Sequence, residues 1–189
     1  MPNPSHSPER ILLDACSLLN LYASGSFEQI LRESGFQFAV AEYVIRTESL
    51  YVLKGGTGPD ARDRVAVDLE PIVTAGLLGI VEITGEAEAT SFLALATQLD
   101  DGEARTIAIA SHRNWRVATD DRKAQKVAAA STPKVQALGT LEIIKAWAEK
   151  VNLSSGQLKS ILINIRERGS FAPGKQDSLL AWWRANTAG

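Results

Sequence analysis

The chain of 189 residues is 45% hydrophobic and 22% charged with a net charge of -2, which is typical of one soluble globular domain with a sizeable core. Its single cysteine, Cys16, excludes an internal disulfide, and His6 and His112 are too few and too far apart for a His/Cys zinc site. No apolar run approaches the roughly 18 residues of a membrane span and no signal-peptide pattern is seen, so we expect an unprocessed cytoplasmic protein.

The first part of the chain alternates short apolar runs with helical spacing. Residues 10–14, RILLD, predict a buried strand that stops at an aspartate, and residues 17–35 then change to helical spacing with glycine breaks. Residues 36–40 predict a second strand. Residues 42–56 predict a helix closed by two glycines, and the loop TGPDARD follows.

The same alternation continues through the middle of the chain. The predicted elements, in order, are a strand at 76–84, helices at 86–99 and 101–113, a strand at 115–119, a helix at 122–130 and a brief strand at 134–138. From residue 139 to residue 189 the spacing is helical throughout. Strands that alternate with helices indicate a parallel sheet with helices on both faces.

We therefore predict an α/β fold, specifically three α/β/α layers around a five-stranded parallel sheet with a helical C-terminal extension. Within this fold, residues 1–9 are expected to be a disordered tail. Residues 10–150 are expected to form the main domain. Residues 151–189 are expected to be an extension that packs on that domain.

Carboxylates follow two of the predicted strands. Asp14 ends the first strand, and Asp120 and Asp121 follow the fourth. Parallel sheets of this kind bind ligands beyond the carboxyl ends of their strands, so neighbouring strands would bring these side chains together. An Asp pair between a strand and a helix is also a common turn and helix cap, and this alternative stays open for each of them.

Two glutamates are candidates for the same edge. Glu103 lies near the start of a helix that Ile107 and Ile109 hold to the core, although a helix dipole also favours an acid there. Glu48 lies between Val44 and Val52 on the helix predicted after the second strand, which places it partly out of water.

The segments LLDACSLLNLY, VIRTESLYV, DDGEARTIAIA and VATDDRKAQKVA together resemble a PIN domain, the nuclease fold of the toxin ribonucleases in type II toxin-antitoxin pairs. The similarity runs from Arg10 to Trp147. By this resemblance the catalytic acids are Asp14, Glu48, Glu103 and Asp121. Glu42 is a rival for the place of Glu48, but it lies at the expected helix start, where capping explains it.

The chemistry of such a cluster indicates a metal ion. Several carboxylates within a few ångströms repel one another, and without compensation at least one keeps its proton with a raised pKa. A divalent cation removes that conflict, and oxygen ligands suit Mg²⁺ or Mn²⁺. The expected ligands are Asp14, Glu103 and Asp121, while Asp120 either assists or caps the helix that starts near Arg122. The expected reaction is hydrolysis of RNA phosphodiester bonds.

Basic residues follow the last of these acids. Arg122, Lys123 and Lys126 are candidates for contacts with RNA phosphates, or they form a solvated helix face. Charge is unevenly distributed, with 14 acidic and 5 basic residues in 28–103 but 6 acidic and 14 basic residues in 104–189. By the resemblance, the expected partners are RNA, a cognate antitoxin protein and a second copy of the chain. The alternative function is an inactive PIN-like module that binds RNA or a protein.

Two further features of the sequence bear on partners and chemistry. Trp182 and Trp183 lie in an apolar helical stripe near the C-terminus, which is either core or an interface patch. Cys16 has no suitable histidine to activate it and is expected to be a small core residue. The stretch KGGTGPDA has the glycines of a P-loop but lacks the Lys and Ser or Thr that must follow them.

Overall fold

The computed structural model describes residues 8–188, and a five-stranded parallel sheet lies at its centre. The strands are β1 (Arg10–Leu13), β2 (Gln37–Ala41), β5 (Leu78–Val81), β6 (Arg116–Ala118) and β7 (Ala137–Leu138), with the antiparallel pair β3 (Tyr51–Leu53) and β4 (Arg64–Ala66) apart from them. Across the central sheet the strand order is β5-β2-β1-β6-β7, and every pairing is parallel. The predicted three-layer α/β/α class is confirmed.

Helices cover both faces of the sheet. They are α1 (Ala15–Ala23), α2 (Phe27–Glu33), α3 (Glu42–Thr47), α4 (Glu70–Thr74), α5 (Gly85–Leu95), α6 (Asp101–Arg113), α7 (Arg122–Ala130), α8 (Thr140–Val151), α9 (Ser155–Arg168) and α10 (Leu180–Thr187). Helix α6 packs on β1, β2 and β6 and is covered by α5, whereas α1, α2, α8 and α9 pack on one another. Among the described residues, no helix is both long and apolar enough to cross a membrane.

The central strand β1 shows why the sheet forms where it does. Ile11, Leu12 and Leu13 are completely buried, as a continuous apolar run between two helical layers requires. The parallel register places Leu13 opposite Ala118 of β6. The next residue of each strand therefore emerges at the same edge of the sheet, and this edge carries the candidate site.

The predicted helix over residues 42–56 is wrong in its second half. Helix α3 ends at Thr47, and Tyr51–Leu53 instead pairs with Arg64–Ala66 as an antiparallel ribbon. The side chains of this segment alternate, with Val52 buried and its neighbours half-exposed, which is the period of a strand. The loop TGPDARD thus becomes the connection between two strands.

The C-terminal helices pack on the rest of the chain. Leu162 and Ile165 of α9 are completely buried, and Trp183 of α10 is 6% exposed, with its ring 6.1 Å from that of Phe171. Trp182 is half-buried against the same core. The tryptophan stripe is therefore largely core. Residues 1–7 of the predicted N-terminal tail lie outside the described residues.

Candidate metal centre

Asp14 lies at the centre of the sheet edge and is only 3% exposed. Its Oδ1 accepts a hydrogen bond from the Ala15 N–H (2.7 Å), which makes it the N-cap of α1. Its Oδ2 accepts from Thr119 Oγ1 (3.0 Å) across the register of β1 and β6. Each carboxylate oxygen has two lone pairs, so both can still bind a further ligand.

Asp121 is joined to Asp14 through the same threonine. The Asp121 N–H donates to Thr119 Oγ1 (3.2 Å), and Asp121 Oδ1 accepts from the N–H groups of Lys123 (2.7 Å) and Ala124 (2.8 Å). Asp121 is thus the N-cap of α7, a role that the sequence analysis offered to Asp120. The cap fixes one carboxylate oxygen of Asp121 and leaves Oδ2 without a hydrogen-bond partner within residues 8–188.

Asp120 is oriented away from this edge and stabilises a different helix. Its Oδ1 accepts from the Thr140 N–H (2.8 Å), and its Oδ2 accepts from Thr140 Oγ1 (2.5 Å) and Asn20 Nδ2 (2.9 Å). These three bonds tie the start of α8 to α1 and leave one lone pair, on Oδ1, without a hydrogen bond from residues 8–188. We therefore assign Asp120 a structural role rather than a place among the metal ligands.

Glu103 lies on the first turn of α6 beside Asp14. The two residues line one small, partly open pocket with Thr106 and Thr119. The N-cap of α6 is Asp100, whose Oδ1 accepts from the Glu103 N–H (2.8 Å). The Glu103 carboxylate accepts no hydrogen bond from any described residue, so capping does not explain it and the carboxylate remains available.

Two other helices contain the backward side-chain bond that Glu103 does not make. Ser154 caps α9, and Gln157 three residues later reaches back to the Ser154 N–H (3.1 Å). In α8 the Glu142 carboxylate likewise accepts from the Gly139 N–H (2.7 Å). Glu103 has the same position in its helix but makes no such bond.

Glu48 lies at the residue where α3 ends and turns towards the start of α6. A Cβ atom placed on Gly102 would be 2.5 Å from Glu48 Oε1 and 3.5 Å from Asp100 Oδ1, so both carboxylates lie over this glycine. The sequence pattern predicted that Glu48 lies within a continuous helix. In the structure α3 is shorter and ends just before Glu48, and the turn that follows brings Glu48 to the edge.

Glu42, the rival of Glu48, faces another part of the surface. Its carboxylate lies 2.5 Å from Arg46 Nη2, and a hydrogen bond shared with Glu82 raises its pKa. Glu42 and Glu82 line a pocket beyond the ends of β2 and β5. The arrangement favours Glu48 as the fourth acid of the cluster.

Three acids at this edge, Asp14, Glu48 and Glu103, have pKa values above those of isolated carboxyl groups. Burial, opposed by hydrogen bonds from Thr119 and Ala15 and reinforced by the charge of Glu48, raises the pKa of Asp14 from 3.8 to about 6. Burial followed by the charge of Asp100 raises the pKa of Glu103 from 4.5 to about 7. The same two causes raise the pKa of Glu48. The acids therefore share one field of negative charge.

Glu88 shows what a structural acid looks like in the same molecule. It is 5% exposed, but its Oε1 lies 2.7 Å from Arg113 Nε and its Oε2 accepts from the Thr84 N–H (2.7 Å). Burial alone would raise the pKa of Glu88, but the bonds from Arg113 and Thr84 hold it below its ordinary value. The edge acids have no such cation, because none of the ion pairs within residues 8–188 involves them.

The donor chemistry of the edge fits a divalent ion, although the side chains are not closed around one. Carboxylate oxygens suit Mg²⁺ or Mn²⁺, and the uncompensated charge gives a cation a reason to bind. Within residues 8–188, no three Asp, Glu, His or Cys side chains are close enough together to hold an ion as they stand. Glu48 and Glu103 accept no hydrogen bonds within this range, so they are the side chains that can move to complete a site.

Cys16 is exposed at this edge, so its predicted place in the core is wrong. It lies on the first turn of α1, next to the N-cap Asp14. Loss of solvation, followed by the charges of Asp14, Asp120 and Glu103, raises the pKa of its thiol to about 12. A thiol held protonated in this way is a poor nucleophile.

Basic side chains continue from the acids along α7. Arg122 and Lys126 line an open groove of about 1050 Å³ that begins at Asp121, and Lys134 extends the set. Lys123 is exposed but does not line the groove. Two of the three predicted RNA contacts thus face one groove.

Asp100 and Thr119 are two members of the site that the sequence analysis missed. Asp100 precedes Glu103 by three residues, which is the spacing of a helix N-cap and its third helical residue, and that spacing was a usable signal. Thr119 links Asp14 to Asp121 through one hydroxyl, a role that depends on the register of two strands distant in sequence.

The assignment of Glu48 over Glu42 can be tested by a matched pair of variants. We expect Glu48→Gln to weaken Mn²⁺ binding about tenfold or more, because it removes a charged ligand candidate. Glu42→Gln should leave Mn²⁺ binding within about twofold. The measurement is the Mn²⁺ concentration that gives half of the maximal shift in melting temperature. Equal loss in both variants, or loss only in Glu42→Gln, would reverse the assignment.

A family model described as a PIN domain, DUF3368, matches residues 11–176. The matched range contains the sheet, the edge acids and the groove. No curated protein matches the chain.

Proposed function

Because this chain belongs to the PIN-domain family, whose members are generally nucleases, we propose that it is a metal-dependent endoribonuclease. The observation that carries the proposal is the set of carboxylates at the carboxyl edge of β1 and β6. Asp14 and Glu103 have raised pKa values and no neutralising cation, unlike the structural acid Glu88. Groups perturbed in this way beside a groove are typical of functional sites.

We assign the residues roles according to their contacts. Asp14, Glu103 and Asp121 are the proposed ligands of Mg²⁺ or Mn²⁺, and Glu48 is the proposed fourth acid. Thr119 is a positioning residue, since its hydroxyl fixes Asp14 Oδ2 and accepts from the Asp121 N–H. When bound, such an ion lowers the pKa of a water and stabilises charge on the departing oxygen.

The finer proposal is that the chain is the toxin of a type II toxin-antitoxin pair. The resemblance of its four motifs to toxin ribonucleases supports this role, and it implies a cognate antitoxin and a homodimer as partners. The second candidate is an inactive module that binds RNA or a protein. It is favoured by the open arrangement of the acids, in which no three approach one ion position within residues 8–188.

RNA cleavage separates these candidates. With a mixed-sequence RNA, the purified protein should produce fragments in the presence of about 5 mM Mg²⁺ or Mn²⁺, a concentration on the order of those that saturate weak carboxylate sites. Excess EDTA should stop the reaction, and renewed metal should restore it. Cleavage that continues in EDTA would reject the metal-dependent reaction, and RNA binding without cleavage under all conditions would favour the inactive module.

A further inference from the structure

The groove that begins at Asp121 is walled on one side by α7 and on the other by residues 171–179, named here the strap. The strap connects α9 to α10 and contains no helix or strand. It is anchored at one end by the Phe171 N–H, which donates to Ile165 O (3.4 Å), and by the Phe171 ring against Trp183. At the other end it leads into α10. The groove is therefore built by the fold and has two fixed walls.

Three cations line this groove, and none of them has an acidic partner. Arg122, Lys126 and Lys134 take part in no ion pair within residues 8–188, and the hydrogen bond of Arg122 goes to the neutral Gln176 (3.3 Å). Arg122 and Lys126 are four residues apart on α7, so they project from one face of the helix. The cations are free to contact an anionic ligand.

The carboxylates that also line the groove are already bonded to the chain. Asp120 is held by Thr140 and Asn20, and Glu142 accepts from the Gly139 N–H. Asp177 accepts from the Leu179 N–H (2.7 Å). The remaining acid, Asp121, lies at the end that joins the proposed metal centre. These acids keep their charge, but the hydrogen bonds hold their carboxylates against the chain, whereas no ion pair within residues 8–188 holds the three cations.

We propose that this groove holds one strand of RNA, with Arg122, Lys126 and Lys134 on successive regions of its phosphate backbone and the strap as the opposite wall. The inference rests on the proposed function, because the strand must reach the acids at Asp121. Cations that contact the phosphate backbone, together with apolar surface that contacts the bases, are the usual way to hold a single strand without reading its sequence. Phe171 and Leu179 supply the apolar surface here. Lys134 and the strap thereby join the substrate site.

Gly174 of the strap provides a way to disturb the groove without touching a charge. A Cβ atom there would lie 2.8 Å from Arg122 Nη2, so Gly174→Ala must displace the guanidinium, which is the mobile end of its side chain. Gly156 has nothing within 4 Å of the same position, so Gly156→Ala is the matched control. The charge control for Lys126→Ala/Lys134→Ala is Arg62→Ala/Lys150→Ala, which removes two exposed cations outside the groove.

The experiment measures binding of a fluorescent single-stranded RNA of roughly twelve nucleotides, a length chosen to span a site of about 4–16 nucleotides. All variants are combined with Asp14→Asn, so that the RNA survives, and salt is varied. Lys126→Ala/Lys134→Ala should weaken binding at least about tenfold and reduce the salt slope by about 1.4, or 0.7 per lost phosphate contact. Gly174→Ala should weaken binding several-fold, and both controls should bind like the parent.

The other possible outcomes distinguish failure of the groove proposal from failure of the proposed function. If the active protein cleaves RNA but the groove variants bind with unchanged affinity and salt slope, the groove proposal fails and the proposed function stands. If the groove variants behave as expected but no metal supports cleavage, the groove stands as an RNA site and the nuclease proposal fails. Equal binding of a duplex would overturn the assignment to a single strand, and absence of any RNA binding would leave the groove to a protein partner and overturn it too.

Discussion

The Asp14→Asn variant is expected to lose RNA cleavage by roughly 10³-fold or more while it remains folded. Asp14 is the most buried of the edge acids and is the one that both Thr119 and the start of α1 hold in place. An asparagine keeps the shape and can still accept from the Ala15 N–H, but it carries no charge for a metal. The measurement is the cleavage rate at saturating Mg²⁺, with the melting temperature as the check on folding.

Glu88→Gln is the matched control for this variant. It also neutralises a buried acid, but one that is paired with Arg113. It should lower stability because the Arg113 guanidinium loses its charged partner, and it should keep the cleavage rate per folded molecule. If Asp14→Asn retained cleavage within about tenfold, or if Glu88→Gln lost as much, Asp14 would not be the central acid of the site.

The second large effect is the removal by metal of a pH dependence of stability. The folded-state pKa values of Asp14, about 6, and Glu103, about 7, lie above their ordinary values of 3.8 and 4.5. Between these limits the folded protein keeps protons that the unfolded chain has released, so stability must fall as pH rises from about 4 to about 7. For Asp14 alone the loss is on the order of 2–3 kcal/mol, or a fall in melting temperature of about 5 °C or more.

Saturating Mn²⁺ should offset this fall and flatten the pH dependence of stability. The ion competes with protons for the same carboxylates and binds the folded chain, so its stabilising effect grows as pH rises, by about 2.7 kcal/mol at a hundredfold excess over its dissociation constant. Differential scanning fluorimetry across pH 5 to 8, with EDTA or Mn²⁺, measures both trends. Asp14→Asn should reduce both the pH dependence of the melting temperature in EDTA and its response to Mn²⁺, and Glu88→Gln should keep both. Parallel curves with and without metal would contradict the account.

The acids at strand ends were predictable from sequence because the signal is local. A fully apolar run that stops at Asp14, and a second that stops shortly before Asp121, each indicate where a strand ends, and parallel strands end at one edge. The family resemblance then added Glu48 and Glu103. The structure places these four residues at the same end of the fold, and their roles remain a prediction.

The errors arose where tertiary contacts override local pattern. Residues 42–56 carry helical spacing, but Tyr51–Leu53 pairs with a strand that lies beyond a loop, and β3, which carries the buried Val52, packs on α1 and α9. Likewise the sequence TDD does not reveal which aspartate caps α7. Asp120 instead accepts a hydrogen bond from Thr140, which lies twenty residues later in the chain. Cys16 appeared to be core because its neighbours on α1 are, yet its own side of the helix faces the acids.

The most direct test of the central claim is a crystal of the protein soaked in Mn²⁺, with the ion located by its anomalous scattering. We predict an ion within about 2.5 Å of carboxylate oxygens from Asp14 and Glu103, with Asp121 or Glu48 completing the protein ligands and water the remainder. Manganese bound elsewhere, with this edge empty at saturating concentration, would contradict the proposal that these acids share one cation.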